Sequence, residues 1–133
     1  MRLKNLKTAT KTEMKATIYH NPRCSKSRQT LQLLEANAIL TEVIDYQKTP
    51  IDKSKLEQIC EGLGIKPLAL IRTKESLFKQ LGLSINDQKN DDEWLSILVQ
   101  HPKLIERPIV VIQGHYTLGR PPENVEKLIA ELK

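Results

Sequence analysis

The chain has 133 residues, 39% of them apolar and 28% charged, an ordinary balance for one globular domain with a modest core. No apolar run approaches the roughly 18 residues of a membrane span, so no membrane partner is expected. The formal net charge is +5, but Arg2, Lys4, Lys7 and Lys11 against Glu13 give residues 1–13 a net +3 and leave only +2 for the rest, which argues against a nucleic-acid surface.

Residues 1–13 read as a basic tail, expected to be flexible, ahead of one domain over 14–133. The tail has charges but no apolar h-region, so no signal peptide is expected. Cys24 and Cys60 are the two cysteines, too few for a secreted disulfide scaffold. A reducing, cytoplasmic setting fits best.

Residues 16–20 form a β-branched and aromatic run that reads as a strand. Residues 25–38 carry helical spacing, with Leu31, Leu34 and Ala38 along one face. Glu42 to Tyr46 reads as a second strand, which Thr49-Pro50 terminates. Asp52 is a candidate cap for a helix with Leu56, Ile59, Cys60 and Leu63 on one stripe, and Gly64 a candidate stop. Pro67 to Arg72 and Lys74 to Leu81 suggest two short helices. Asn90 with Glu93 resembles a capping box ahead of Trp94 to Val99, and Pro102 marks the exit. Ile109-Val-Val-Ile112 is a continuous apolar run, expected of a strand buried on both faces. Gln113-Gly114 then turns into His115 to Leu118 as a hairpin. Pro121-Pro122-Glu123 opens a last helix with Val125, Leu128, Ile129 and Leu132 inward. The order β-α-β, helical block, β-β-α predicts an α/β fold, a small mixed sheet flanked by helices.

Cys24 carries the chemistry. It stands where a strand gives way to a helix, at or next to the helix N-terminus. Unpaired N–H groups and the positive end of the helix dipole stabilise a thiolate there. Arg23 adjoins it and Arg28 lies about one turn on. His20, four residues earlier, either tunes the thiol or hydrogen-bonds the loop. Cys60 lies on the apolar stripe of its helix and reads as a packed core thiol. Position 27 is serine, so no Cys-x-x-Cys pair exists and an external thiol is needed to complete any redox cycle.

Arg72, Arg107 and Arg120 each stand at an element end, where function gathers. Guanidinium groups suit tetrahedral oxyanions through charge and paired N–H donors. A thiolate attacking a charged oxyanion meets like-charge repulsion, which fixed cations offset. Their convergence with Cys24 on one pocket is an expectation. Two other chemistries are disfavoured. A Cys-x5-Arg phosphate loop fails because Thr30 stands where its arginine belongs. No zinc-ligand spacing or Gly-rich nucleotide loop is present, so neither a metal nor a bound cofactor is expected.

His20-Asn-Pro-Arg-Cys24-Ser-Lys-Ser-Arg28 resembles the His-x3-Cys-x3-Arg signature of the glutaredoxin-coupled, ArsC-type arsenate reductases. The resemblance continues through Ala69-Leu-Ile-Arg72, His101-Pro-Lys-Leu-Ile-Glu-Arg107-Pro-Ile-Val-Val111 and Leu118-Gly-Arg120-Pro-Pro-Glu123, and covers about residues 16–131. It implies a thioredoxin-like fold with a helical insertion, a small mixed four-stranded sheet and a cis-proline junction at Arg107-Pro108. It also implies Cys24 as nucleophile, His20 and Arg28 as tuning groups, and Arg72, Arg107 and Arg120 as oxyanion holders. Arsenate would be the substrate, glutathione a co-substrate and glutaredoxin the partner. Residues before Met14 lie outside the resemblance. The alternatives are a redox-responsive regulator of the Spx type binding RNA polymerase, against which Ser27 argues, and another glutathione-dependent thiol reductase on the same scaffold.

Overall fold

The computed structural model describes residues 14–133; the basic tail 1–13 lies outside the described residues. In chain order the elements are β1 (Lys15–His20), α1 (Ser25–Ala36), β2 (Leu40–Asp45), α2 (Lys53–Leu63), a 3-10 turn (Pro67–Leu70), α3 (Ser76–Gln80), α4 (Asp91–Gln100), a second 3-10 turn (Pro102–Leu104), β3 (Ile109–Ile112), β4 (His115–Leu118) and α5 (Glu123–Leu132). They group into two compact units. One comprises residues 14–45 with Arg107–Lys133, the other Tyr46–Glu106. The first holds the β-α-β front and β-β-α back, and the second is the helical block between them.

The first unit is built on a four-stranded sheet of order β2-β1-β3-β4. β1 pairs with β2 in parallel and with β3 antiparallel, and β3 pairs antiparallel with β4. Ala16 stands opposite Ile112, and Ile18 opposite Val110. Strand side chains alternate, so these four share one face. Leu34 of α1 and Val125 and Ile129 of α5 pack on that face, with Leu31 and Leu128 at its edge. Each fully buried aliphatic side chain contributes about 1.5–3 kcal/mol, which makes this layer the unit's main source of stability. The apolar run Ile109–Ile112 lies between two strands, as its composition predicts. The hairpin turns at Gln113 and Gly114, both at positive φ (49° and 82°), which matches the right-handed twist of the flanking strands.

Two boundaries differ from the sequence reading. α1 ends at Ala36, not residue 38, because Asn37 Nδ2 donates to Leu33 O at 2.9 Å and Ala38 turns the chain at φ 56°. β2 begins at Leu40 and stops before Tyr46, since pairing with β1 runs from Lys15 opposite Leu40 to His20 opposite Asp45. Pairing with a neighbour, not local pattern, sets both of its ends.

In the second unit the local signals hold. Asp52 Oδ1 accepts from Lys55 N at 2.8 Å and Gly64 closes α2 at φ 70°. Asn90 and Glu93 form a reciprocal capping box, 2.8 Å each way, at the start of α4. Leu56, Ile59 and Cys60 of α2 and Trp94, Leu95 and Leu98 of α4 are buried, and Phe78 of α3 stacks on Trp94 at 6.3 Å. The helix expected over Pro67–Arg72 is a 3-10 turn that stops at Leu70. Ile71 instead bridges Ile105 antiparallel, and Arg72 stands outside any helix, where the chain turns through Thr73 N to Ile71 O at 2.9 Å. Pro102 opens a further 3-10 turn. No helix among the described residues is long and apolar enough to cross a membrane.

Candidate active site at the Cys24 loop

β1 delivers the chain to His20, and the turn Asn21-Pro22-Arg23 lifts it onto α1. Cys24 N donates to Asn21 O at 2.9 Å, and Arg23 N donates to Asn21 Oδ1 at 3.0 Å. Cys24 is the N-cap residue of α1, with extended backbone (φ −94°, ψ 123°), and its carbonyl accepts the first helical bond, from Arg28 N at 3.0 Å. The sulfur therefore faces the first turn of N–H groups. It closes no side-chain capping bond of standard geometry, yet the amides of Ser27 and Lys26 act on it.

Burial pushes the half-exposed Cys24 thiol up. The Ser27 N–H, a hydrogen bond from the Arg107 side chain, the Lys26 N–H and the Arg107 charge together outweigh that cost. The net result is a thiol held below its ordinary value. This is the helix N-terminus effect in its ordinary form, strengthened by one guanidinium.

Three contacts brace the loop. Ser27 Oγ lies 2.6 Å from His20 Nδ1 and accepts from Asn21 N at 3.0 Å, all within buried surroundings. Arg28 Nη1 donates to Pro22 O at 2.8 Å. Burial pulls the His20 pKa down, Asp45 raises it in part, and Arg28 lowers it further, so the net shift is downward. The hydrogen-bonding partner of the imidazole is the Ser27 hydroxyl. Hydrogen bonding within the loop is what the structure gives both His20 and Arg28.

Arg107 precedes β3 through a cis peptide bond to Pro108, and Arg120 follows β4 with a second cis bond, to Pro121. The two segments are joined, because Gly119 N donates to Pro108 O at 2.9 Å. Thr30 of α1 completes the link. Its hydroxyl lies 2.8 Å from Lys26 O and 3.3 Å from Gly119 O. Arg107 is half-buried beside the sulfur, whereas Arg120 is exposed.

Arg72 belongs to the second unit. Its backbone is fixed by Arg72 N to Leu104 O at 2.7 Å and Glu75 N to Arg72 O at 3.0 Å. Its guanidinium donates from Nη1 to Glu75 Oε2 at 2.8 Å, and Nε lies 3.8 Å from Glu106 Oε1. Cys60, also in that unit, is buried. Burial first, then the charges of Asp91 and Glu57, push its thiol up to about 11. It is a core thiol with little nucleophilic character.

Sequence reasoning did not anticipate the second cis bond, the acidic partners of Arg72, or the buried polar pair Ser27 and Thr30. A signal for the last did exist. Ser27, Thr30 and Leu34 fall on one helical face, and two hydroxyls on a buried stripe require polar partners.

These features define a class: a protein of thioredoxin-like fold, with a cysteine at a helix N-terminus beside a cis-proline loop. The chain belongs to the ArsC family, whose sequence pattern matches residues 19–128. It is 45% identical over 113 residues to the arsenate reductase of Neisseria meningitidis serogroup A, covering 84% of this chain and 96% of that one. It is 44% identical over 113 residues to the uncharacterized protein YfgD of Escherichia coli (strain K12), covering 84% of this chain and 94% of that one. The solved structure of an arsenate reductase from Vibrio cholerae superposes with a TM-score of 0.81 at 45% identity, over 86% of this chain and 98% of the other.

Proposed function

We propose that this protein is an arsenate reductase whose nucleophile is Cys24, working with glutathione as co-substrate and glutaredoxin as partner in the reducing cytoplasm. One observation carries the reading: the Cys24 sulfur faces the Ser27 and Lys26 amides and the Arg107 guanidinium. That environment stabilises a thiolate and offers donors to an incoming oxyanion at the same place. The family and its relatives described as arsenate reductases support arsenate as that oxyanion.

In the proposed cycle the Cys24 thiolate forms a bond to arsenic(V) and one arsenate oxygen leaves as water after taking up protons. Arg107, Arg120 and Arg72 hold the remaining oxygens and offset the repulsion between thiolate and oxyanion. The thiolate of glutathione then bonds to the adduct, and a second oxygen leaves as water. Arsenic(V) takes the electron pair released as the two sulfurs join, and the arsenic(III) fragment, left with two oxygens, takes up one water and departs as arsenite. Cys24 is left in a mixed disulfide with glutathione. Glutaredoxin attacks the glutathione sulfur, takes the glutathionyl group and frees the Cys24 thiolate. Ser27 supports the external-thiol route. It occupies the position a resolving cysteine of Cys-x-x-Cys would fill, and its hydroxyl is committed to His20 and Asn21.

Steady-state arsenate reduction, with glutathione and glutaredoxin omitted in turn, tests the reading. Loss of turnover on each omission and in Cys24→Ser is expected. Undiminished turnover by Cys24→Ser would reject it.

A further inference from the structure

In the second unit Arg72 is fixed at both ends. Its backbone sits in a short antiparallel pairing, where Glu106 N donates to Leu70 O at 2.8 Å, Arg72 N donates to Leu104 O at 2.7 Å, and Ile71 bridges Ile105. Its far end is held by Glu75 at 2.8 Å and approached by Glu106 at 3.8 Å. Glu75 is itself held from the other side, because its Oε1 lies 3.5 Å from Lys103 Nζ. The Arg72 and Glu75 side chains are each only 19% exposed, so the pair is shielded more than a surface ion pair is. The carboxylates meet Nη1 and Nε, the two nitrogens that flank Nη2 around the guanidinium. Among the described residues Nη2 makes no hydrogen bond.

We infer that Glu75, supported by Glu106 and Lys103, is a positioning residue that aims the remaining N–H donors of the Arg72 guanidinium, those of Nη2, at an arsenate oxygen. The inference rests on the reading of Arg72 as an oxyanion holder. A guanidinium recognises a tetrahedral oxyanion through planar, directed N–H donors, so its aim matters as much as its charge. An arginine side chain left to itself samples many rotamers, and each must be given up on binding. Glu75 fixes the rotamer before the anion arrives. Glu106 belongs to the clamp on Arg72 while it adjoins Arg107 in sequence.

Charge and aim give opposite signs, and this makes the inference testable. Removing a carboxylate near the site leaves more positive charge, which by Coulomb attraction alone tightens anion binding. Loss of aim weakens it. Inorganic arsenate is titrated calorimetrically into full-length Cys24→Ser protein, which binds without reacting, carrying in turn Glu75→Gln, Arg72→Ala and both. Glu75→Gln is expected to weaken the arsenate Kd about fivefold to tenfold, and to change it less than twofold once Arg72 is alanine. Glu75→Asp should recover part of the loss, and Glu106→Gln should show a smaller weakening of the same sign. In otherwise wild-type protein Glu75→Gln should raise KM for arsenate with kcat within about twofold. Tighter binding in Glu75→Gln, or equal weakening with and without Arg72, overturns the positioning role alone. An unchanged Kd in Arg72→Ala, or no measurable arsenate binding by folded Cys24→Ser protein, sinks the underlying reading of Arg72 and the inference with it.

Discussion

Thr30 and Gly119 approach so closely that residue 119 has no room for a side chain. A Cβ there would stand 2.6 Å from Thr30 Oγ1, 2.8 Å from Pro108 Cγ and 3.0 Å from Thr30 Cγ2. None of these atoms is the end of a flexible chain. Thr30 is fully buried on α1, and Pro108 is a closed ring that is itself buried. The contact ties the helix that carries Cys24 to both arginine-bearing loops of the first unit.

Gly119→Ala is therefore expected to cost about 1–3 kcal/mol in chemical denaturation, the usual range for overpacking. It should also lower kcat/KM at temperatures where the protein stays folded, because the displaced groups carry Arg107 and Arg120. Thr30→Ala in the same chain removes two of the three clashes and should restore part of both losses. An alanine variant equal to wild type in both measurements would show that the backbone yields freely there.

The thiolate environment makes a second expectation. The burial cost on Cys24 is outweighed by the Ser27 and Lys26 amides and by Arg107, so alkylation by iodoacetamide should reach half its plateau rate below the pH of an unperturbed cysteine. Arg107→Ala removes a hydrogen bond and a charge that both favour the thiolate, so the half-point should move up. Its kcat/KM should fall about a hundredfold, the scale for losing one oxyanion donor. The linked stability has a defined sign. A depressed acid stabilises the fold above its unfolded pKa and loses that contribution as pH falls through the folded value. The stability gap between wild type and Cys24→Ser should accordingly narrow as pH falls.

What was legible in the sequence was local. The Asp52 cap, the Gly64 stop, the Asn90 and Glu93 box and the Gln113-Gly114 turn each involve residues within a few positions of one another, and each is found where the pattern put it. The Cys24 helix start is of the same kind. What stayed hidden depends on distant partners. β2 takes its ends from β1, Arg72 has its second carboxylate from Glu106 thirty-four positions on, and Gly119 is explained by Thr30 and Pro108. The helix expected to end at Arg72 gave way to a bridge between Ile71 and Ile105, a pairing that spacing within one segment cannot encode.

The His20 and Ser27 pair should make the fold acid-sensitive. Burial holds the His20 pKa below its ordinary 6.5, with Asp45 opposing and Arg28 assisting. An unfolded chain takes up the proton at the ordinary value while the folded chain resists, so the contribution is complete above about pH 6.5. It is lost as pH falls through the lower folded value. Urea midpoints at pH 7.5 and pH 5 should differ for wild type and differ less for His20→Gln. Ser27→Ala should cost about 1–3 kcal/mol at pH 7.5, because Nδ1 of His20 and the Asn21 N–H lose a buried partner. An equal pH slope in wild type and His20→Gln would remove His20 as the source.

Cys60 supplies the contrasting case. It is 4% exposed on the buried stripe of α2, and its thiol is pushed up to about 11 by burial and by Asp91 and Glu57. A cysteine in that state is neither a thiolate donor nor a resolving group at neutral pH. Brief iodoacetamide treatment of the native protein at pH 7 should add one label, on Cys24, and denaturant should be required for the second, as intact-mass measurement would read directly. Cys60→Ala should lower stability by about 1 kcal/mol through lost packing and leave kcat and KM for arsenate within twofold of wild type. A large fall in kcat with KM unchanged, reversed by no excess of external thiol, would make Cys60 part of the redox cycle. It would also displace the external-thiol route that the commitment of Ser27 to His20 and Asn21 supports.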